Sequence, residues 1–229
     1  MSRIVFDNNY VIVQPTFKEV LPHKHSFYHI FFLSENTRYS EIYVVGSDML
    51  HTMPSRDICK LFLMIDPTSV IAEYLSENIL SDDRPHMLQC VDVLSVSEEM
   101  SDEDLKGAVK NWLFKNGFGK EIDSIKTADE RIIRLVCEIR DYKHLDERIS
   151  DIAKQCYLSE SRLSHIFKNS MGISLKGYLN IAQMQYAYKL ITEGSEITYA
   201  AYEAGFGSSA HLAAVCKKQM GISVTAVLK

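Results

Sequence analysis

Four histidines in the first quarter of the chain have the residue type and spacing of a metal site. His23, His25 and His29 are spaced two and four residues apart, so on a single strand their side chains would all point to one face. If that side is buried, His51 from a neighbouring strand could complete a set of imidazole ligands. The alternative is a polar pocket without a metal. We favour the pocket, because nothing in the sequence fixes the number of ligands or supplies groups to support them.

Aromatic residues accompany these histidines and could line such a pocket or fill it. The candidate lining comprises His23, His25, His29, His51, Tyr28 and Tyr43. No nucleophile or general base accompanies them, so the sequence offers no catalytic residue, and it indicates no cofactor.

A second set of polar residues lies on a segment with helical periodicity near the C-terminus. Leu163, Ile166 and Phe167 form the apolar face of a helix that Ser159 caps and Gly172 ends. Side chains that point away from this face could bind base edges or phosphates. They are Glu160, Ser161, Arg162, Ser164, His165 and Lys168.

A shorter amphipathic helix precedes this segment, with apolar residues at Ile149, Ile152, Ala153 and Cys156. Two short helices joined by a tight turn match a helix-turn-helix, whose second helix enters the DNA major groove. The chain therefore contains a candidate DNA-binding motif.

The motif occurs twice, which indicates a duplicated unit. At an offset of 48, the sequence repeats Ile149, Ala153, Cys156 and Leu158 as Ile197, Ala201, Ala204 and Phe206. At an offset of 49, it repeats Leu163, Lys168, Met171, Gly172, Ile173 and Ser174 as Leu212, Lys217, Met220, Gly221, Ile222 and Ser223. The extra residue falls in the predicted turn at Gly205-Phe206-Gly207. Residues 174–192 between the copies have the periodicity of one long helix.

These motifs resemble the AraC/XylS family of transcriptional regulators. The resemblance covers roughly residues 129–229. It is carried by Leu158–Lys168 with Met171–Ser174, by Tyr178-Leu179-Asn180, and by Ala204-Gly205-Phe206 with Ser208. It implies a DNA-binding domain with two helix-turn-helix units, and double-stranded promoter DNA as the partner.

The resemblance also implies roles for individual residues of the two recognition helices. In the first, the base-reading positions are Ser161, Ser164 and His165, while Arg162 and Lys168 suit phosphates. The second departs from the family pattern, because alanine replaces the usual polar residues at 210, 213 and 214. Its remaining candidates for DNA contact are Ser209, His211, Lys217 and Lys218. We therefore expect the second helix-turn-helix to position the protein on DNA more than to read the base sequence.

The N-terminal half has the pattern of short strands followed by helices. Residues 11–13, 27–33, 41–45 and 60–65 are runs of β-branched or aromatic residues, and helical stripes follow Pro67. Regulators of this family often carry a cupin-like sensor barrel here, and the histidines resemble a degenerate form of the cupin motifs. One helical stripe, from Leu105 to Trp112, either forms a dimer interface or packs against the chain's own barrel.

The expected fold class is α+β, with a small cupin-like β-barrel and packed helices followed by an all-α double helix-turn-helix domain. We expect a sensor and dimerisation domain at residues 1–118, a linker at 119–128 and a DNA-binding domain at 129–229.

Charge and cysteine content are compatible with this organisation. The net charge is −5, but residues 129–229 contain 13 Lys+Arg and 11 Asp+Glu, which gives +2, and the remainder contains 12 and 19, which gives −7. The five cysteines do not have the spacing of metal ligands, which suggests reduced, buried thiols. With neither a signal peptide nor a long apolar run, we expect a cytoplasmic protein without a membrane partner.

The sequence thus predicts a sequence-specific, DNA-binding transcriptional regulator and not an enzyme. The family resemblance adds a small-molecule effector that acts through the N-terminal domain, a homodimer, and RNA polymerase as a further partner. The alternative is a metal-dependent cupin enzyme with an appended helical domain. It depends on the four histidines alone.

Overall fold

The computed structural model describes residues 2–16, 21–33, 38–55, 57–82, 84–97, 99–118, 124–220 and 224. The chain forms two compact units, one of Met1–Ser124 with Gln219–Lys229 and the other of Ile125–Lys218. Residues 119–123 of the expected linker, and the repeated residues 221–223, lie outside the described residues.

The first unit contains an antiparallel sheet whose strands lie in the order β1-β2-β5-β3-β4-β6. The strands are β1 (Arg3–Phe6), β2 (Tyr10–Gln14), β3 (Tyr28–Leu33), β4 (Arg38–Val45), β5 (Leu61–Ile65) and β6 (His86–Ser95). Strands β2 to β5 coincide with the four runs found in the sequence. Strand β6 is a difference, because the signal after Pro67 was interpreted as helical. Its residues alternate between half-buried and exposed, as expected for an edge strand.

One face of the sheet packs against two helices, α1 (Val70–Asn78) and α2 (Asp102–Lys115). Alternate strand residues such as Ile30, Phe32 and Leu63 form this core together with both helices. The ring of Trp112 contacts that of Phe32 at a centroid distance of 4.6 Å. Ser101 caps the first turn of α2, where three acidic residues stabilise the helix dipole.

The stripe from Leu105 to Trp112 packs within its own unit. Leu105, Val109, Trp112 and Leu113 are at most 1% exposed and belong to the core beneath the sheet. Of the two roles left open by the sequence, the structure supports packing against the chain's own sheet. The proposed dimer interface at this stripe was wrong, because none of its apolar surface is left for a partner.

The second unit is helical and contains both copies of the motif as far as Lys218. Its helices are α3 (Glu130–Arg140), α4 (Ile149–Gln155), α5 (Glu160–Met171), α6 (Leu175–Thr192), α7 (Ile197–Glu203) and α8 (Ser209–Met220). Residues 156–159 separate α4 from α5, and residues 204–208 separate α7 from α8. The second turn is one residue longer, as the change of offset predicted. The α+β fold class is confirmed. In the described part of the chain, no helix combines the length and apolar character needed to cross a membrane.

Leu105→Ala is expected to destabilise the first unit by about 2–5 kcal/mol, because it leaves a cavity in a fully buried site. Phe114→Ala on the same helix is the matched control, since Phe114 is 61% exposed. Urea unfolding followed by the fluorescence of Trp112, the single tryptophan, measures both variants. A Leu105→Ala protein with unchanged stability but a smaller oligomeric state would contradict the assignment of this stripe to the core.

Candidate functional site

Helix α6 is the central element of the second unit. Ten of its 18 residues are buried, and they lie on all sides of the helix, as expected for a helix surrounded by others. It follows α5 directly and precedes α7, so both helix-turn-helix units are connected through it.

The buried side chain of Gln183 on α6 bonds to both halves of the domain. Its Nε2 atom donates to the carbonyl of Leu145, at 2.6 Å, and to that of Gly205, at 3.2 Å. Leu145 lies in the segment before α4, and Gly205 lies in the turn between α7 and α8. One amide therefore links the segment before the first helix-turn-helix to the turn of the second helix-turn-helix.

Gly205 is required where it approaches this amide. Its φ of +80° is one that side chains with a Cβ rarely adopt. A Cβ would also lie 2.8 Å from Gln183 Nε2 and 2.9 Å from the carbonyl oxygen of Leu145. The turn can only approach α6 this closely with glycine.

The first recognition helix, α5, is fixed by its cap and its apolar face. The side chain of Ser159 accepts a hydrogen bond from the Arg162 amide at 3.2 Å, and Gly172 ends the helix with a φ of +69°. Phe167 is fully buried and contacts Tyr178 of α6 at 5.8 Å between ring centroids. The opposite face of α5 is consequently directed outward.

The structure brings the five candidate residues of α5 together on this outward face. Ser161, Arg162, His165 and Lys168 are exposed, and Ser164 is half-buried. Asn169, which the sequence analysis did not single out, lies 3.4 Å from His165 between Nδ2 and Nε2. If the amide donates, the remaining His165 hydrogen is on Nδ1. The spacing of four residues between Asn169 and His165 is the signal that could have revealed this contact.

The outward face of the second recognition helix, α8, is smaller and less polar. Ala210, Ala213 and Ala214 are exposed there, with Ser209 half-buried beside them. The exposed His211 ring packs edge-on against Phe206 at 5.3 Å, which limits its freedom to reach a base. Lys217 and Lys218 are exposed in the last turn.

Cys216 anchors α8 from the buried side. It is fully buried beside the hydroxyl of Tyr188 on α6, and burial raises the pKa of its thiol to about 12. Cys216 is therefore a neutral packing residue, and the helix is held to α6 at the opposite side from its alanines.

In the first unit, all four candidate histidines form one cluster on the sheet face opposite the helices. The backbones of His23 and His51 form an antiparallel bridge, and the centroids of their rings lie 4.5 Å apart. The centroid of the His51 ring also lies 5.0 Å from that of the His25 ring and 4.8 Å from that of the His29 ring. We refer to these four residues as the histidine cluster.

The structure separates the two candidate tyrosines. Phe31, which stacks on His29, contacts Tyr43 at 6.1 Å, so Tyr43 lies on the same face as the histidine cluster. Tyr28 packs against the core on the helix face and bonds to Ser76 of α1. Tyr28 is thus not brought to the cluster, because neighbouring residues of β3 point to opposite faces.

The surroundings of the histidine cluster favour neutral imidazole rings. Burial is the main reason that the pKa values of His25 and His29 lie well below the ordinary histidine value, and neighbouring histidines lower them further. Burial also lowers the pKa values of His23 and His51. Neutral imidazoles offer one donor and one acceptor each, which suits either a polar ligand or a metal ion.

Comparisons with known proteins agree with this description of the second unit. Residues 152–229 match a protein-family model described as a helix-turn-helix domain. No curated protein sequence matches the chain.

The whole chain resembles solved structures of ToxT from Vibrio cholerae. One, at 17% identity and a TM-score of 0.51, covers 98% of this chain and 96% of that chain. Another is ToxT from Vibrio cholerae O395 bound to (E)-4-(8-methylnaphthalen-1-yl)but-3-enoic acid. It has 15% identity and a TM-score of 0.50, and the match covers 95% of this chain and 96% of that chain. At these identities the likeness shows a shared fold.

The duplicated motif, its geometry and the family match together define a DNA-binding protein of the helix-turn-helix class. The match over residues 152–229 confirms the helix-turn-helix domain that the motifs predicted. The comparisons give no support to the alternative of a cupin enzyme.

Gln183→Leu is expected to destabilise the second unit by about 1–3 kcal/mol, because it leaves one buried and one partly buried carbonyl group without their donor. Gln185→Leu, two residues along α6 at a half-buried position, is the matched control. Urea unfolding followed by circular dichroism gives the stability. Hydrogen exchange should show faster opening of the segments around Leu145 and Gly205 in the first variant alone. Equal losses in both variants would show that the amide bonds contribute little.

Proposed function

We propose that the protein is a transcriptional regulator of the AraC/XylS type, and that it reads promoter sequence mainly through α5 while α8 binds the DNA backbone. The observation that carries the proposal is the contrast between the two outward faces on the same central helix. The α5 face presents polar side chains at the positions where the α8 face presents Ala210, Ala213 and Ala214. Alanine can contact a thymine methyl group but cannot make the paired hydrogen bonds that distinguish bases.

On α5, we assign base contacts to Ser161, Ser164 and His165 and phosphate contacts to Arg162 and Lys168. A hydrogen on His165 Nδ1 could donate to guanine N7 or O6, and Asn169 would hold the ring in place. The two cations lie on the exposed face, where they could fix the register of the helix without carrying sequence information.

On α8, we assign a clamping role to Ser209, His211, Lys217 and Lys218. The two lysines are free to reach phosphates from the last turn. His211 packs on Phe206, so its role would be to support the helix start beside the DNA. Major-groove faces of two such units would lie about one helical turn apart, roughly 10 base pairs.

We further propose that the first unit senses a small-molecule effector and that the regulator acts as a cytoplasmic homodimer that can contact RNA polymerase. The ToxT structure with a bound naphthyl-substituted butenoic acid supports a ligand in a protein of this fold. The buried face with the histidine cluster, Phe31 and Tyr43 is the candidate for effector binding. A net charge of +2 on residues 129–229 favours dimeric binding, since few phosphate contacts make one protomer bind weakly.

His165→Ala should weaken binding to a selected operator by about 1–3 kcal/mol and relax the preference at one base pair. Lys217→Ala should weaken binding to all sequences alike. It should also reduce, by about one unit, the slope of the logarithm of the binding constant against the logarithm of the salt concentration. Operators selected from random DNA, followed by binding titrations at several salt concentrations, measure both effects. Position-specific loss of preference in Lys217→Ala, or a uniform loss in His165→Ala, would reverse the roles assigned to α5 and α8.

The full chain is expected to bind its operator as a dimer and residues 129–229 to bind it at least about tenfold more weakly, because the fragment lacks the proposed dimerisation unit. Titrations of both proteins on one operator at fixed salt test this, with sedimentation giving the number of protomers bound. Equal low-nanomolar affinity of the fragment and the full chain would rule out a need for the dimer.

A further inference from the structure

We propose that the histidine cluster binds one divalent transition metal ion of the type that prefers imidazole, such as Zn²⁺. The proposal concerns the first unit and is independent of the DNA contacts assigned above. It departs from the expectation of a metal-free pocket that the sequence favoured. The sequence could neither fix the number of ligands nor identify groups that support them, and the structure supplies both.

The ligand atoms have the spacing that a small ion needs. One ring nitrogen each of His23, His25 and His51 lies within 4.8 Å of the others. Tetrahedral zinc with Zn–N bonds of about 2.0–2.1 Å holds its nitrogens about 3.4 Å apart, so a modest contraction would close the site. Three imidazoles with an open fourth position form an established zinc ligand set, and oxygen-preferring ions such as Mg²⁺ and Ca²⁺ would be disfavoured.

Two of the ligands are already oriented by backbone carbonyl groups. The Nδ1 atom of His23 lies 2.9 Å from the carbonyl of Leu21, and the Nδ1 atom of His51 lies 2.9 Å from that of Met49. Each Nδ1 must donate in these contacts, so each Nε2 keeps its lone pair for a metal. Such carbonyl contacts are typical of histidines that bind metals, because they fix the tautomer and the ring.

The Nε2 atom of His51 provides a second, independent indication. It is buried and has no hydrogen-bond partner within the described residues. A buried polar atom without a partner costs free energy, so native structures rarely contain one without a function. A metal ion bound to Nε2 would satisfy this atom.

The third ligand is His25, whose Nε2 atom lies 3.0 Å from that of His29. The Phe27 amide donates to Nδ1 of His25 at 3.1 Å, so the hydrogen of that ring lies between the two Nε2 atoms. An ion at Nε2 of His25 must displace this hydrogen bond, and the ring hydrogen must then move to Nδ1, which also breaks the hydrogen bond from the Phe27 amide. We therefore expect micromolar affinity, lower than in a site whose ligands are all free in advance.

The test uses the untagged full-length chain, stripped with a chelator and titrated with Zn²⁺ against a chromophoric competitor. We expect one ion per chain, a higher thermal midpoint with Zn²⁺, and the visible absorption of a tetrahedral site when Co²⁺ replaces Zn²⁺. His51→Ala and His23→Ala should each weaken Zn²⁺ binding at least about tenfold. His86→Ala is the control, because His86 is a partly exposed histidine that pairs with Asp82 away from the cluster.

Trp112 fluorescence shows whether each variant retains the folded first unit. His23 is half-buried, so His23→Ala preserves the test if His51→Ala does not fold. Absence of stoichiometric binding in the wild-type chain would overturn the proposal. It would also be overturned if a folded cluster variant bound Zn²⁺ as tightly as the His86→Ala control, since the ion would then bind elsewhere on the surface.

Discussion

The double hydrogen bond from the amide of Gln183 is the constraint on which the DNA-binding unit depends. One nitrogen on the central helix holds a carbonyl before the first motif and a carbonyl in the turn of the second. Because Gly205 allows this approach, the second turn can lie against α6 despite its extra residue. The orientation of α8 relative to α5 is thus set by buried contacts with α6, to which Tyr178 and Tyr188 add.

This arrangement permits the two outward faces to differ in chemistry without altering their geometry. Burial of Phe167 and Cys216 fixes each helix from the inside, so substitutions on the outside change what is bound and not how the helix is presented. The polar face of α5 and the alanine face of α8 are the basis of the proposed division between base contacts and backbone contacts. In the first unit the sheet likewise has two different faces, one packed against the helices and one that carries the histidine cluster.

Local patterns predicted the elements of the fold more completely than the partners of single side chains. The caps, the repeat offsets and the four central strands follow from residue type and periodicity, which are local. The sequence pattern did not predict β6, because its exposed face carries Met87, Val91 and Val93, so apolar and polar residues do not alternate along it. Tyr28 is next to His29 in the sequence, but adjacent residues of β3 point to opposite faces, so Tyr28 packs on the helix face. The contacts of Gln183 and the tautomers of the histidine cluster depend on long-range carbonyl positions, which no sequence pattern records.

The division between base reading and backbone clamping is tested most directly by chemical interference on a single operator. Removal of individual bases and ethylation of individual phosphates each report where a contact is needed. We expect base removal to impair binding strongly in one block per protomer. In the block about one helical turn away, only phosphate ethylation should impair it. Equal sensitivity to base removal in both blocks would contradict the account, because it would mean that the alanine face of α8 reads sequence as α5 does.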